Sequence, residues 1–384
     1  METKGDALST ISLVRCDTYE SKAVESAVRR VVDLLGGISC FVKPGDRVLL
    51  KPNMLSAHSP ERRITTDPEV VSAVVRLVLE AGGRPFIGDS PALDPFRRVA
   101  SKTGMARIAE QFGIECIELT EPTTVLLPES AVFRQLEIAS QAVKADVVIN
   151  LPKLKTHSQM LLTLGVKNLF GTIVAQRKAE WHYMVGVDRD IFASLLLDIY
   201  LTVGPVLTIL DGIWGMEGHG PSNGVPRPLN LIAASQDAVA LDVGICHILN
   251  VPLRSFPVYR VARTRGIGVT DLGRVIFKGE SPHVFKVRDF QVPALDSLDL
   301  LPGVFDWFTK RFLVSKPIHE RSLCTGCEKC RQICPANAIQ VRDRKIMFDY
   351  GKCIRCYCCQ EICPEDAIAF HKGMLVRLLN RFNR

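Results

Sequence analysis

CTGCEKCRQICP (residues 324–335) and CIRCYCCQEICP (residues 353–364) are two copies of one spacing, Cys-x2-Cys-x2-Cys-x3-Cys-Pro. In such a run three cysteines hold one iron–sulfur cluster and the fourth reaches across to a second. A [4Fe–4S] cube has four iron corners, and each takes one thiolate. The x2 spacing lets a tight loop wrap three corners, and the proline after the fourth cysteine turns the chain away. One cluster is therefore assigned to Cys324, Cys327, Cys330 and Cys363, and the other to Cys353, Cys356, Cys359 and Cys334. A paired zinc site or a disulfide framework seldom uses eight cysteines in this triplet-plus-one pattern. The chain handles electrons.

Working outward, residues 318–371 read as a small α+β two-cluster ferredoxin-like domain, and residues 1–295 as an α/β domain. In the larger domain short apolar runs alternate with amphipathic segments, as in βαβ units around a mostly parallel sheet. Strands are expected at Ile11–Arg15, Arg47–Leu50, Pro85–Gly88, Cys116–Leu119, Asp146–Asn150, Leu207–Leu210 and Leu231–Ala234. Helices are expected at Ser21–Leu35, Pro68–Ala81, Arg97–Phe112, Ile191–Val203 and Asp237–Leu249, with Leu136–Lys144 a strand followed by a short helix. Asp67 is a fitting N-cap for the helix that Pro68 opens.

Residues 296–317 form an aromatic and basic linker with Phe305, Phe308 and Phe312 on one helical stripe. The tail, 372–384, places Met374, Leu375, Leu378, Leu379 and Phe382 on one face and Arg377, Arg381 and Arg384 on the other. An amphipathic basic helix can lie on an anionic membrane. Docking on the cluster domain is the preferred expectation, because so small a domain has little core of its own.

The net charge of +7 owes more than half to Lys372, Arg377, Arg381 and Arg384. No basic stripe interleaved with aromatics appears, so nucleic acid is not an expected partner. Cys16, Cys40, Cys116 and Cys246 are scattered through apolar segments and read as core residues in a reducing compartment, and Cys358 as a spare thiol beside Cys359. The N-terminal residues lack a signal-peptide pattern, and Asp198 with Gly204-Pro205 divides the apolar stretch Ile191–Leu210. A cytoplasmic location is the expectation.

Charged and amide residues gather where predicted strands end. VLLKPN delivers Lys51 and Asn53, FIGDSP delivers Asp89 and Ser90, VVINLPKLKTH delivers Asn150, Lys153, Lys155, Thr156 and His157, and LTILDGIWGMEGHGP delivers Asp211, Glu217 and His219. The run TLGVKNLFGTI adds Lys167 and Asn168 between two glycines. Ligands of open parallel sheets bind outside the carboxyl ends of the strands. Lys51, Lys153, Lys155 and Lys167 would favour a small anion there, with Asn53, Asp89, Asn168, Asp211 and Glu217 beside them. His157, His182 and His219 are the candidate proton donors and, with Asp211 and Glu217, a weaker candidate for a metal. Dinucleotide, Walker A and serine-elbow motifs are lacking. A flavin or other redox ligand stays open, since many flavin sites have no short signature.

The phrases VLLKPN, DVVINLPKLKTH, GVKNLFG, DGIWGMEGHGP and ASQDAVALDVG together resemble the domain of unknown function 362 family of iron–sulfur-centre proteins, over nearly all of residues 10–250. The resemblance implies a redox protein with no assigned catalytic residues. Its motif positions fall on Lys51, Asn53, Asp89, Lys153, Lys155, His157, Lys167, Asn168, His182, Asp211, Glu217, Gly218, Gly220, Asp237 and Asp242. The expected function is passage of single electrons between a redox partner protein and the small anion. The alternative is a ferredoxin-type carrier whose α/β domain only docks a larger complex.

Overall fold

The computed structural model of the chain describes residues 8–293 and 316–371, apart from 176, 187, 343 and 344. They fall into two units: one runs to Lys178 and takes in Arg189–Val292, and the other combines Ala179–Asp188 with the C-terminal residues. The basic tail, and the linker before Lys316, lie outside the described residues.

The first unit opens with β1 (Ser9–Arg15) and α1 (Ser21–Asp33). Next come β2 (Arg47–Pro52), α2 (Pro68–Glu80), β3 (Arg84–Asp89), α3 (Phe96–Lys102), α4 (Met105–Phe112) and β4 (Glu115–Glu118). A small antiparallel pair, β5 (Pro122–Leu126) and β6 (Gln135–Ala139), leads through α5 (Ser140–Val143) to β7 (Val147–Leu151), β8 (Lys153–His157), β9 (Leu161–Thr163) and α6 (Gly165–Asn168). After α7 (Arg177–Val185) the chain forms α8 (Arg189–Val203), β10 (Leu207–Glu217), β11 (Val225–Ser235), α9 (Ala238–Ile248), α10 (Pro257–Arg265) and β12 (Val275–Gly279).

The main sheet has the order β12-β1-β11-β10-β7-β2-β3-β4, with β8 joined to β10 and β9 to β8. Strands β10, β7, β2, β3 and β4 are parallel, as expected, while β11 runs antiparallel between β1 and β10. Strands covered on both faces read as continuous apolar runs, and β2 and β7 are buried almost throughout. Helix α2 forms because Asp67 accepts the N–H of Glu69 and Pro68 stands at its first position. It buries Val70, Val71, Val74, Val75, Leu77 and Val78. Each such side chain contributes about 1.5–3 kcal/mol relative to leaving it in water.

Two expectations needed correction. The single helix over 97–112 is two, because Gly104 takes φ +80° between α3 and α4. The short strands at 207 and 231 belong to two eleven-residue strands of one hairpin. Asp211 therefore lies within a strand and not in a loop beyond its end. Among the described residues no helix is long and apolar enough to cross a membrane.

In the second unit β13 (Lys316–His319) pairs with β16 (Ile368–His371), and β14 (Ile339–Arg342) pairs with β15 (Lys345–Phe348), both antiparallel. Two short helices, α11 (Lys329–Ile333) and α12 (Cys358–Glu361), each follow a cysteine loop. Among the described residues, Ile339, Ile346 and Ile368 cluster with Cys330 and Cys359 in the apolar core.

Candidate functional site

Lys51, Lys153 and Lys155 are each 0 % exposed, and each is held by specific acceptors. Lys51, ending β2, has its Nζ 3.0 Å from Asp89 Oδ1 and donates to the Pro52 carbonyl at 2.8 Å. Asp89 also accepts the N–H groups of Met54 and Ser90, so the carboxylate ties the ends of β2 and β3 together. Lys153 Nζ donates to Asp211 Oδ2 at 2.8 Å and to the Tyr19 hydroxyl at 2.7 Å. Lys155 Nζ donates to Asn53 Oδ1 at 3.0 Å and to the Ile64 carbonyl at 2.7 Å. Burial lowers the pKa of Lys51 and of Lys153, opposed by Asp89 and Asp211 respectively.

A chain of amides joins these lysines. Asn53 donates to Asn168 Oδ1 at 3.0 Å. Asn168 donates to the Lys51 carbonyl at 3.0 Å and to Asn150 Oδ1 at 2.8 Å, and Asn150 donates to the Gly165 carbonyl at 2.9 Å. Asp242 of α9 fixes the start of α6 by accepting the N–H groups of Gly165 and Val166, at 2.7 and 3.1 Å. Burial pushes the pKa of Asp242 up to about 8, against the pull of those two donors. Lys167, half-buried on the same short helix, stands over the rings of Phe170 and Phe192.

A second knot surrounds Lys153. Tyr19 donates to Asp211 Oδ1 at 2.7 Å, and the Asp67 N–H donates to Asp211 Oδ2 at 2.9 Å. Arg63, in the left-handed region at φ +56°, pairs with Asp67 at 3.1 Å and covers the Tyr19 ring. Left-handed backbone in a residue with a long side chain costs about 1–2 kcal/mol, which this network must hold in place. Burial and the nearby Asp211 carboxylate push the pKa of Asp67 up to about 7, with Lys153 and Arg63 opposing.

The structure thus links Lys51, Asn53, Asp89, Lys153, Lys155, Asn168 and Asp211 at one end of the sheet, but Lys51 and Lys153 are sealed in ion pairs. The expectation that each lysine presents its charge to a ligand is corrected for these two: the strand ends are packed closely enough to require internal carboxylates. Glu217 faces Arg227 and the N–H of Gln291. The three candidate histidines sit on separate segments of the chain. His157 is buried, with Nδ1 accepting the N–H groups of Gln159 and Met160. His219 is exposed, and His182 is buried on α7 within the second unit. Among the described residues no three of His, Cys, Asp and Glu are placed to hold one metal ion, so the metal reading of His157, His182, His219, Asp211 and Glu217 is dropped. Nothing in the described residues supports the flavin.

Sequence reasoning missed four participants. Tyr19 and Arg63 lie in loops without a motif, Asp67 was read only as a helix cap, and Lys178 sits in the first turn of α7. The Lys178 Nζ donates to the Ser90 carbonyl. Burial pushes its pKa down to about 7, with the Lys51 and Lys167 ammoniums adding to the shift and Asp89 and Glu118 opposing it.

In the second unit the thiols gather around two hollows. One is lined by Cys324, Cys327, Cys330 and Cys363. The other is lined by Cys334, Cys353, Cys356, Cys358 and Cys359. The first run therefore supplies three thiols to one hollow and its last to the other, and the second run does the reverse, with Cys358 as a fourth thiol in its own hollow. The last sulfurs accept backbone donors, Ala338 N–H on Cys334 at 3.3 Å and Ala367 N–H on Cys363 at 3.2 Å. Such bonds stabilise thiolate charge, and all-thiolate donor sets suit iron–sulfur clusters. Cubane thiolates bind separate irons, so they stand wider apart than the ligands of a single ion. The residues present fit such a group.

Comparison with known proteins agrees. Residues 48–247 match the profile of the domain of unknown function DUF362, and residues 316–364 match a 4Fe-4S dicluster domain. A thylakoid-associated protein of Synechocystis is 40% identical over 318 residues, covering 81% of this chain and 98% of that protein. A crystal structure of a Thermotoga maritima protein superposes with a TM-score of 0.35 at 14% identity, over 57% of this chain and 56% of its own. The lactate racemase apoprotein of Thermoanaerobacterium thermosaccharolyticum does so with a TM-score of 0.38 at 11% identity, over 63% of this chain and 57% of its own. On the domain match and the Synechocystis relative, the chain belongs to the DUF362 family and carries a C-terminal 4Fe-4S dicluster domain.

Proposed function

We propose that the protein is an iron–sulfur oxidoreductase that passes single electrons between a redox partner protein and a small anionic ligand at the strand ends of the α/β unit. Two [4Fe–4S] clusters, held by Cys324, Cys327, Cys330 and Cys363 and by Cys334, Cys353, Cys356 and Cys359, supply one-electron chemistry when bound. The observation that carries the electron-transfer reading is the sharing of thiols between the two hollows. The ligand reading draws on Lys167 and Lys178, which stand near the Lys51–Asp89 pair and whose charge that internal pair does not consume. Positive charge with water partly excluded favours carboxylate or phosphate. The test is anaerobic purification followed by iron and sulfide analysis, then dithionite reduction and reoxidation in the presence of separate small anions. About eight iron and eight sulfide per chain, with reoxidation accelerated by one class of anion and slowed in a Lys167→Met variant, is the expected result. Intact clusters indifferent to every anion would move the weight to a carrier that docks a larger complex.

A membrane-surface reading gains weight from the Synechocystis relative, which is named as thylakoid-associated. The sequence of the tail, apolar on one face and basic on the other, suits binding to an anionic surface. Pelleting of the full chain with anionic vesicles, lost on removal of residues 373–384, would favour it over a cytoplasmic protein with a docked tail.

A further inference from the structure

Lys178, in the first turn of α7, reaches the end of β3 beside a segment stitched to that strand. Its Nζ donates to the Ser90 carbonyl, one residue beyond Asp89. The Ser90 hydroxyl oxygen accepts the Ala175 N–H at 2.8 Å, and the Ser90 N–H donates to Asp89 at 2.8 Å. Gly171 of the same segment lies directly against the Lys51–Asp89 pair, where a Cβ would come within 2.5 Å of Lys51 Nζ. The charged groups acting on Lys178 are Asp89 on β3, Lys51 on β2, Lys167 on α6 and Glu118 at the end of β4. Asp89 already stands 3.0 Å from Lys51. A further ammonium beside these cations, with water partly excluded, is disfavoured relative to its amine. Unlike Lys51, Lys178 is only partly buried, so its proton can be exchanged.

We propose that Lys178 is the acid–base group of the strand-end site, exchanging one proton with a small anion that the neighbouring positive charge recognises. This rests on the strand-end ligand reading above. In the step the ammonium N–H bond breaks and a bond from hydrogen to a ligand atom forms, and the reverse step restores the ammonium. No electron moves in it, and the amine can stay hydrogen-bonded to Ser90. The histidines are not required, and His157 already has Nδ1 engaged by two backbone donors. Burial, more than the neighbouring Lys51 and Lys167, pushes the Lys178 pKa down to about 7.

The experiment is competitive labelling of the anaerobically purified full chain with trinitrobenzenesulfonate from about pH 5 to about pH 11, read for each lysine by mass spectrometry, spanning the ordinary lysine value of about 10.4. Lys178 should react with a midpoint near the neutral range, on the order of a hundredfold faster at neutral pH than ordinary exposed lysines. Lys167→Met should raise that midpoint and Asp89→Asn should lower it; the first variant suffices if the second does not fold. Inorganic phosphate or acetate should slow labelling of Lys178 and not of exposed lysines. An ordinary midpoint, a low midpoint that Lys167→Met leaves in place, or absence of protection by either anion would overturn the proposal. The labelling needs neither clusters nor turnover. Its failure leaves the electron-transfer reading standing, and failed anion-dependent reoxidation with a low Lys178 midpoint strikes that reading instead.

Discussion

Replacing Gly171 by alanine tests whether the strand ends are as tightly filled as the structure indicates. The added methyl carbon would lie 2.5 Å from Lys51 Nζ and 2.7 Å from its Cε, and closer still to Asp89 Oδ1. Real carbon contacts do not come so near, so a partner must move. Flexible lysine ends often yield at little cost, but Lys51 is fully buried and its Nζ is fixed by Asp89 and the Pro52 carbonyl. The methyl therefore separates a buried ion pair or forces the loop off β3. Breaking a buried pair costs about 3–5 kcal/mol, because each charge is left without its partner. Taking the lower figure, and about 2 °C per kcal/mol for a domain of this size, the melting temperature should fall by roughly 6 °C. Far-ultraviolet circular dichroism of the anaerobic protein measures this, with Gly273→Ala as control, since its methyl would meet only ordinary contacts at 3.4 Å and beyond. A Gly171→Ala protein within about 0.5 kcal/mol of the parent, the range of neutral surface changes, would refute the packing argument.

Other outcomes can be checked in the same preparations. Asp67 has its folded pKa raised to about 7 from an ordinary value of about 3.9, so its contribution to stability is full below the lower value and is lost as pH rises through the higher. Asp67→Asn, which keeps a good N-cap, should therefore gain stability relative to the parent as pH rises from about 4 to about 7, followed by urea titration; a flat difference would contradict the burial and the Asp211 repulsion. Asp242→Ala leaves the N–H groups of Gly165 and Val166 without their acceptor and should cost about 2–4 kcal/mol by the same titration. Cys334→Ser should damage the cluster of Cys353, Cys356 and Cys359 and spare that of Cys324, Cys327 and Cys330, which electron paramagnetic resonance of the reduced protein distinguishes. Cys358→Ser should leave iron content unchanged, although its thiol lines the second hollow.

The parallel strands β2, β3 and β7 were legible because a strand covered on both faces must be an apolar run, and LLKPN and VVINLP end such runs with polar residues. The partners of those residues were not legible. Lys153 and Asp211 are 58 residues apart, and only the sheet order that brings β8 beside β10 pairs them. A lysine at a strand end looks the same in sequence whether it faces solvent or a buried carboxylate, so Lys51 and Lys153 read as ligand-facing charges. Asp211 was taken for a loop residue because antiparallel continuation of β10 past an aspartate leaves no apolar signature. Lys178 lies in a polar helix start with no motif, and only the loop carrying Gly171 and Ala175 delivers it to Ser90. The cysteine runs were legible as a family signature, since their spacing implies a 4Fe-4S dicluster domain, but the place of Cys358 beside the second hollow was not.

That sharing of thiols has a consequence for assembly. Each cluster, once bound, would act as a cross-link between distant parts of the second unit, tying Cys363 back to the first loop and Cys334 forward to the second. Because the cysteine loops are short and the cluster each would hold joins four of their thiols, the metal–sulfur bonds would contribute much of what closes those loops. Neither half can be completed before the other run has been made, so maturation should be all-or-none in chain length. Oxidative loss of one cluster would free the thiol lent to it by the other run, so the loop around the lost cluster should open while the other stays closed.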